Sequence, residues 1–205
     1  MRKPKLRELG EAIRALIKGP YTAKFPKAPP ITAKEFRGII KYNEERCIGC
    51  GACAEVCPAN ARAIEDDWER KVRKVIHYQE KCIYCGQCVN YCTTQEGIKH
   101  TQEYDLAKLE NKGFENIIEK ELEFCEMCGE VVAPKAQLIW IAHKLGELAY
   151  ANPTLYLSIH QNLDTIQKEE KVKLQNKELP YRSQHQRILC VDCRRKAYLN
   201  EVWGY

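Results

Sequence analysis

Long apolar runs are missing from this sequence of 205 residues. The most apolar segment, 136–142, is only seven residues long, whereas a helix that spans a membrane needs about 20. The basic N-terminus leads into Leu6–Ile17, where apolar and charged residues alternate, so this region does not have the pattern of a signal peptide. We therefore expect a soluble chain without a transmembrane segment of its own.

Motifs of small-molecule catalysis are also missing. The sequence contains no phosphate-binding loop, dinucleotide fingerprint or recognisable pair of nucleophile and base. Its five histidines show no ligand spacing relative to one another and are interpreted as structural. These absences argue against an enzyme that acts alone.

Cysteine, by contrast, is abundant. The 12 cysteines fall into two runs of four and two separate pairs. Gaps of two and three residues are typical of metal ligands. A secreted disulfide scaffold, the alternative, is usually shorter and follows an export signal. The four groups are Cys47, Cys50, Cys53 and Cys57; Cys82, Cys85, Cys88 and Cys92; Cys125 and Cys128; and Cys190 and Cys193.

The two runs repeat one spacing. Residues 46–58 align without gaps with residues 81–93, at an offset of 35 residues, which predicts two copies of one structural unit. The spacing Cys-x2-Cys-x2-Cys-x3-Cys is that of four-iron clusters, in which the fourth cysteine of each run binds the other cluster. Thr93 stands where the first run has Pro58. A pair of zinc sites is the alternative.

This spacing predicts that each cluster has ligands from both runs. Cluster 1 takes three ligands from the first run and one from the second, and cluster 2 has the reverse arrangement. The predicted ligands are Cys47, Cys50, Cys53 and Cys92 for cluster 1, and Cys82, Cys85, Cys88 and Cys57 for cluster 2.

The two isolated pairs suggest a further metal site. Cys125-Glu126-Met127-Cys128-Gly129 has the form of a metal-binding knuckle, whereas Cys190-Val191-Asp192-Cys193 lacks the final glycine. We expect Cys125, Cys128, Cys190 and Cys193 to hold one tetrahedral ion, with zinc preferred and a rubredoxin-like iron as the rival. Four free buried thiols are the remaining alternative.

The formal charge of +5 treats these cysteines as neutral, although metal ligands are thiolates. Three four-thiolate centres, each carrying about −2, change the net charge to about −1. A nucleic-acid-binding module with structural clusters is therefore disfavoured, and its support is confined to basic stretches such as Arg194-Arg195-Lys196.

Periodicity outside the runs predicts mainly helices. The apolar positions of 5–18 share one helical face, and the prolines after it predict an extended arm. Two apolar segments between the runs predict a hairpin. The predicted hairpin strands are 62–65 and 74–78, and the predicted later helices are 136–145 and 153–167.

Residues 19–98 resemble the two-cluster, ferredoxin-like subunit of respiratory complex I and of related membrane-bound hydrogenases. The two additional cysteine pairs resemble the corresponding subunits of formate hydrogenlyase and sulfane reductase complexes. The residues that carry the first resemblance are Phe36-Arg37-Gly38 after a proline-rich arm, Arg46-Cys47-Ile48-Gly49-Cys50, Cys57-Pro58-Ala59-Asn60-Ala61 and Cys82-Ile83-Tyr84-Cys85-Gly86.

The resemblance implies an electron-transfer subunit, with soluble ferredoxin as donor and hydrogenase-like small and large subunits as partners. It implies a peripheral position on the cytoplasmic side of the membrane. A freely diffusing ferredoxin is the alternative. The expected fold is α+β, with an N-terminal helix and docking arm (1–38), a duplicated bacterial-type two-[4Fe-4S] ferredoxin domain (39–105) and a helical extension closed by the four-cysteine site (106–205).

Overall fold

The computed structural model describes residues 5–19, 22, 27–107, 109, 113–163 and 186–203. The chain divides into two compact units, one ending at Phe36 and the other beginning at Arg37. The elements in chain order are α1 (Leu6–Lys18), β1 (Ile40–Tyr42), α2 (Ala52–Glu55), β2 (Arg62–Asp67), β3 (Val72–Tyr78), α3 (Gln87–Asn90), β4 (Ile98–His100), β5 (Glu115–Phe124), β6 (Val131–Pro134), α4 (Lys135–Leu145), α5 (Pro153–Asn162) and α6 (Val191–Trp203), with short 3-10 helices at Gln79–Lys81 and Gly146–Ala151.

The first unit contains the predicted N-terminal helix. Its α1 begins at Leu6 and ends at Lys18, because the following Gly19 has a φ of 75° that breaks the helical conformation. None of its residues is buried. Residues 20, 21 and 23–26 of the predicted arm lie outside the described residues.

A β-hairpin connects the two cysteine runs. Strands β2 and β3 pair antiparallel from Arg62 opposite His77 to Asp67 opposite Val72. The hairpin predicted from the sequence is confirmed, with each strand longer than expected. It holds Val75 and Ile76 in the buried core.

The region after residue 105 is not only helical, as the sequence analysis had expected, because it begins with two strands. Strand β5 pairs antiparallel with β3 and then with β6, so the sheet has the order β2-β3-β5-β6. Ile118 and Leu122 are buried on the inner face of β5. Glutamates dominate its other positions, and their low β-propensity hides the alternation. The sheet therefore joins residues on both sides of the predicted boundary at 105/106.

The helices that follow form a second core around Leu138, Ala142, Ala149 and Leu155. Helix α4 confirms the helix predicted at 136–145. Helix α5 begins where the Asn152 side chain accepts a hydrogen bond from the Thr154 N–H and proline occupies the first turn. It ends at Asn162, and residues 164–167 of the predicted helix lie outside the described residues.

A small two-stranded sheet completes the region around the cysteine runs. Strands β1 and β4 pair antiparallel, with Tyr42 opposite Ile98. Ile40, Ile98 and Cys88 form a buried cluster against which Cys53, Cys82 and Cys92 pack. The cysteine runs thus lie over this small core.

Candidate metal centres

The structure forms one cavity from three cysteines of the first run and one of the second. Its lining includes Cys47, Cys50, Cys53 and Cys92. The other lining residues used below are Tyr42, Ile48, Thr93, Thr94 and Gly97. We call it the first cavity.

A second cavity has the reverse composition. Its lining includes Cys82, Cys85, Cys88 and Cys57. Arg62, His77 and Ile83 are further lining residues. Cys57 follows Cys53 by four residues, yet the turn after α2 carries it from the first cavity to the second. Each cavity is therefore lined by four free thiols.

Backbone geometry is the same around the two runs. Helices α2 and α3 lie 35 residues apart and have the same length. Three positions with positive φ in the first run have counterparts with positive φ at the same offset in the second. The pairs are Gly49 (66°) with Tyr84 (53°), Gly51 (83°) with Gly86 (80°), and Asn60 (47°) with Gln95 (61°).

Threonine hydroxyls contact two thiols of the first cavity. The Thr93 Oγ1 lies 3.2 Å from the Cys50 Sγ, and the Thr94 Oγ1 lies 3.5 Å from the Cys92 Sγ. The Thr94 hydroxyl accepts a hydrogen bond from the Gly97 N–H, which leaves its proton for the sulfur. In the sequence Thr93 is notable only as a replacement for proline, and neither contact was predicted.

Burial keeps several thiols neutral in the absence of metal. It raises the pKa of Cys53 to about 11, although the Arg62 charge opposes the rise. It also raises the pKa values of Cys47, Cys82 and Cys88. Because metals bind thiolates and release protons, these sites suit a cationic centre that replaces the protons.

A buried arginine lies between the two cavities. Arg62 lines the second cavity, and it donates hydrogen bonds to the Tyr42 hydroxyl (2.5 Å) and the Cys88 Sγ (3.5 Å). Tyr42 in turn lines the first cavity. The His77 side chain also lines the second cavity, and neither of its ring nitrogens has a hydrogen-bond partner within the described residues. The sequence analysis had assigned no role to Arg62.

The two cysteine pairs near the C-terminus come together despite their separation in sequence. The Sγ atoms of Cys125, Cys128, Cys190 and Cys193 all lie within 4.8 Å of one another. The Cys128 and Cys190 Sγ atoms are 3.7 Å apart. Metal–sulfur bonds of about 2.3 Å in a tetrahedron put neighbouring sulfurs about 3.8 Å apart. This geometry fits a single ion, whereas a cubane lies between its ligands and holds them farther apart.

Ionisation of this thiol group is uneven. Burial disfavours the Cys125 thiolate, but hydrogen bonds from nearby backbone N–H groups outweigh it and lower the pKa of Cys125 to about 7. Burial, together with hydrogen bonds to the other three thiols, raises the pKa of Cys193. A divalent cation stabilises all four thiolates at once, so the donor set fits a metal ion.

Comparison with known proteins gives a family match that covers both cysteine runs. The family described as a 4Fe-4S dicluster domain matches residues 46–96. Formate hydrogenlyase subunit 6 of Escherichia coli (strain K12) is 36% identical over 134 residues, which cover 62% of this chain and 70% of that protein. The chain belongs to the family of formate hydrogenlyase subunit 6.

Subunits of quinone oxidoreductases match as well. NAD(P)H-quinone oxidoreductase subunit I of Trichodesmium erythraeum (strain IMS101) is 32% identical over 130 residues, covering 60% of this chain and 61% of that protein. The corresponding subunit of Nostoc sp. (strain PCC 7120) is 38% identical over 63 residues, 29% of this chain and 31% of its own length. The chain thus spans less than two thirds of these quinone oxidoreductase subunits. The predicted resemblance is confirmed.

Among solved structures, a chain of the membrane-bound sulfane sulfur reductase, an archaeal respiratory membrane complex, matches 54% of this chain and 60% of its own length. The identity is 25% and the TM-score is 0.39. Within the described ranges, none of the helices combines the length and apolar character that a membrane crossing requires.

The hydrophobic residues around the runs differ in exposure. Ile48 lines the first cavity and is only 7% exposed, whereas Ile83 at the second cavity is 64% exposed. Tyr84 and Tyr91 lie within the second cysteine run, where aromatic side chains could shield a cluster. Neither is among the residues that line a cavity, and Tyr91 is 63% exposed. The second cavity is therefore the one with less hydrophobic cover.

Proposed function

We propose that this chain is an electron-transfer subunit that relays single electrons through two [4Fe-4S] clusters within a membrane-bound oxidoreductase complex. The observation that carries the proposal is the pair of four-thiol cavities, each with three cysteines of one run and one of the other. When bound, such clusters accept and donate one electron at a time.

The proposed ligands follow from the cavity linings. Cys47, Cys50, Cys53 and Cys92 hold cluster 1, and Cys82, Cys85, Cys88 and Cys57 hold cluster 2. The matched positive φ angles and the equal helices α2 and α3 support a duplicated ferredoxin unit. Each unit then supplies one ligand to the cluster of the other, which ties the two units together.

The surrounding residues orient and shield the ligands. Gly51 and Gly86 precede α2 and α3 with left-handed backbone, a conformation that glycine adopts without strain. Ile48 excludes water from the first cavity, and the Thr93 and Thr94 hydroxyls donate to sulfur. The protein thereby supplies the binding and hydrogen bonding that tune cluster potentials.

The partners are proposed from the family. The two relatives are named as subunit 6 of formate hydrogenlyase and subunit I of NAD(P)H-quinone oxidoreductase, so each is one subunit of a larger enzyme. This supports docking of the present chain on hydrogenase-like small and large subunits. We propose soluble ferredoxin as the donor and a peripheral position on the cytoplasmic side of the membrane. The domains are those expected above: residues 1–38 for docking, 39–105 for the clusters and 106–205 for the extension.

A single zinc ion is proposed at the four-cysteine site. The 3.7 Å distance between the Cys128 and Cys190 sulfurs supports a mononuclear tetrahedral centre. Cys193 and Cys125 are buried with Leu189 and Ala197 in one apolar cluster. The ion would tie the knuckle after β5 to the start of α6, with a structural role.

The test begins with the full chain purified without oxygen. Metal analysis is expected to give about eight irons and one zinc per chain, because two cubanes contain eight irons. A ninth iron in place of zinc would identify a rubredoxin-like centre. Two zinc ions in place of the eight irons would contradict the electron-transfer role.

A second experiment addresses the complex. An affinity-tagged chain, expressed in its native host and purified from gently solubilised membranes, is expected to retain hydrogenase-like small and large subunits. Reduced ferredoxin should then reduce its clusters, as measured by visible absorbance. Recovery of the chain alone from the soluble fraction, at the size of a monomer, would favour a freely diffusing ferredoxin. Salt-sensitive binding to DNA or RNA would instead favour a nucleic-acid module.

A further inference from the structure

The Arg62 guanidinium is buried beside the second cavity. The residue is 6% exposed at the start of β2. One of its nitrogens lies 3.5 Å from the Cys88 Sγ, and the other donates to the Tyr42 hydroxyl. The Cζ atom of the guanidinium also lies 5.2 Å from the centroid of the Tyr42 ring. Arg62 thus contacts a thiol of the second cavity directly. At the first cavity it contacts Tyr42 but no thiol, although its charge opposes the rise that burial causes in the pKa of Cys53.

No carboxylate pairs with Arg62 in the part of the chain that the structure describes. Two other arginines of the same hairpin have such partners: Arg73 lies 2.7 Å from Asp66, and Arg70 lies 2.8 Å from Glu119. A buried charge is costly unless an opposite charge compensates for it. The surroundings of Arg62 therefore call for an anion.

The second cavity supplies that anion when a cluster is bound. An oxidised four-iron core with four thiolates carries about −2. Cys88, which Arg62 contacts, is one of the proposed ligands. Arg37 also lies at this cavity, where it donates a hydrogen bond to the Cys85 carbonyl oxygen, but it is exposed, whereas Arg62 is buried.

The first cavity has cations nearby, but none at the position matched to Arg62. Arg73 donates to the Gly49 carbonyl oxygen and is paired with Asp66, and the Lys120 charge opposes the rise that burial causes in the pKa of Cys47. At the offset of 35 residues, the counterpart of Arg62 is Gly97 and the counterpart of His77 is Tyr42. Both counterparts line the first cavity, as Arg62 and His77 line the second. The two cavities thus differ at matched positions by one buried positive charge.

We propose that Arg62 is the counter-charge of cluster 2 and raises its reduction potential above that of cluster 1. The proposal rests on the two-cluster function proposed above. One-electron reduction adds a negative charge to the site, and a nearby fixed positive charge stabilises the more negative state. Cluster 2 is then the first of the two to be reduced.

The test compares Arg62→Gln and Arg62→Lys in the full chain with its clusters. Each protein is titrated anaerobically with dithionite and monitored by electron paramagnetic resonance, with cluster 2 assigned by its loss in Cys57→Ala. For Arg62→Gln we expect at least a tenfold shift of the cluster 2 one-electron equilibrium toward the oxidised state, which is 59 mV. Cluster 1 should shift less. Arg62→Lys should shift cluster 2 less than the glutamine variant does.

A matched control is Arg70→Gln, which removes an arginine of the same hairpin that is exposed and paired with Glu119. In the Arg70→Gln protein, the reduction potentials of both clusters should equal those of the unsubstituted protein. If Arg62→Gln fails to assemble cluster 2 while Arg62→Lys assembles it, the requirement for positive charge is also supported.

Two results would overturn the proposal. One is an Arg62→Gln protein in which both clusters have the reduction potentials of the unsubstituted protein. The other is an equal shift or loss of cluster 2 in the glutamine and lysine variants, which would make Arg62 a packing residue. Absence of clusters from the unsubstituted protein would instead refute the proposed function itself. Metal analysis of that protein therefore separates the two failures.

Discussion

The two cysteine cavities share a backbone but not their polar surroundings. Matched positions adopt left-handed backbone in both runs, and α2 and α3 have equal lengths. The first cavity has threonine hydroxyls near Cys50 and Cys92, whereas the second has Arg62 near Cys88. The cysteine spacing and the local backbone are thus repeated, while the groups that tune each site vary independently.

The comparison of the two cavities separates residues that bind a cluster from residues that adjust its reduction potential. Residues that bind or shape a cavity occur in both repeats, because a cluster needs four ligands and a tight loop in each. Residues that donate hydrogen bonds or charge to sulfur differ, since they change the potential without being required for binding. The predictions below test this division, beginning with the largest effect.

Removal of the fourth cysteine of either run should have the largest effect, the loss of a whole cluster. Cys92→Ala is expected to remove cluster 1 and leave cluster 2, although Cys92 belongs to the second run, because Cys92 lines the first cavity. Cys57→Ala should remove cluster 2 and leave cluster 1. Each change should lower the iron content by up to about four atoms, the content of one cubane. Iron analysis and electron paramagnetic resonance measure the loss.

The two variants control each other, since each removes one cysteine at a corresponding position. If each variant instead lost the cluster of its own run, the shared-ligand arrangement would be wrong. If a variant retains a three-iron cluster in the damaged cavity, the undamaged cavity is identified as the one whose electron paramagnetic resonance signal is unchanged.

The glycines before α2 and α3 should differ in their tolerance of alanine. Both have φ near 80°, which costs an alanine about 1–2 kcal/mol. A Cβ at Gly51 would also overlap the Ile64 Cδ1, whereas one at Gly86 would lie 3.4 Å from the nearest atom, the His100 Nε2. We therefore expect Gly51→Ala to lower the melting temperature of the cluster-loaded protein more than Gly86→Ala.

Melting is followed by circular dichroism and by the visible absorbance of the clusters under anaerobic conditions. Equal decreases would show that Ile64 moves aside at no cost and that backbone strain alone accounts for both effects. A larger decrease for Gly86→Ala would contradict the packing described here.

Removal of the Thr93 hydroxyl should have the smallest effect. Thr93→Val deletes the donor 3.2 Å from the Cys50 Sγ and should lower the potential of cluster 1. A hydrogen bond worth about 1 kcal/mol corresponds to about a fivefold change in the one-electron equilibrium. Cluster 2 is the internal control, because Thr93 lines only the first of the two cavities. An unchanged cluster 1 potential would assign Thr93 a purely steric role.

Much of the local structure was predictable because its signals are local. The apolar period of α1 and α4, and the paired apolar segments of β2 and β3, appear directly in the sequence. Strand β5 was missed because four glutamates and a lysine mask the alternation that buries Ile118 and Leu122. Its position is stabilised by pairing with β3, a long-range contact that propensity does not encode.

In the candidate sites, too, local features were predictable and long-range contacts were not. Cysteine spacing predicted which thiols lie together in each cavity, and no spacing connected Arg62 with Cys88 or Thr93 with Cys50, because these contacts span 26 and 43 residues. The pair at Cys125 and the pair at Cys190 were only plausible partners in the sequence. Tertiary packing around Leu189 and Ala197 brings their sulfurs within reach of one ion.

The sequence by itself predicted the chemistry of this protein, since closely spaced cysteines in this doubled pattern are typical of proteins that bind two four-iron clusters. The tertiary structure decided how the two sites differ. Folding places a buried arginine beside one cavity and hydroxyl groups beside the other. Charge and hydrogen bonds act through space over a few ångströms, so their effect depends on which residues the fold makes neighbours.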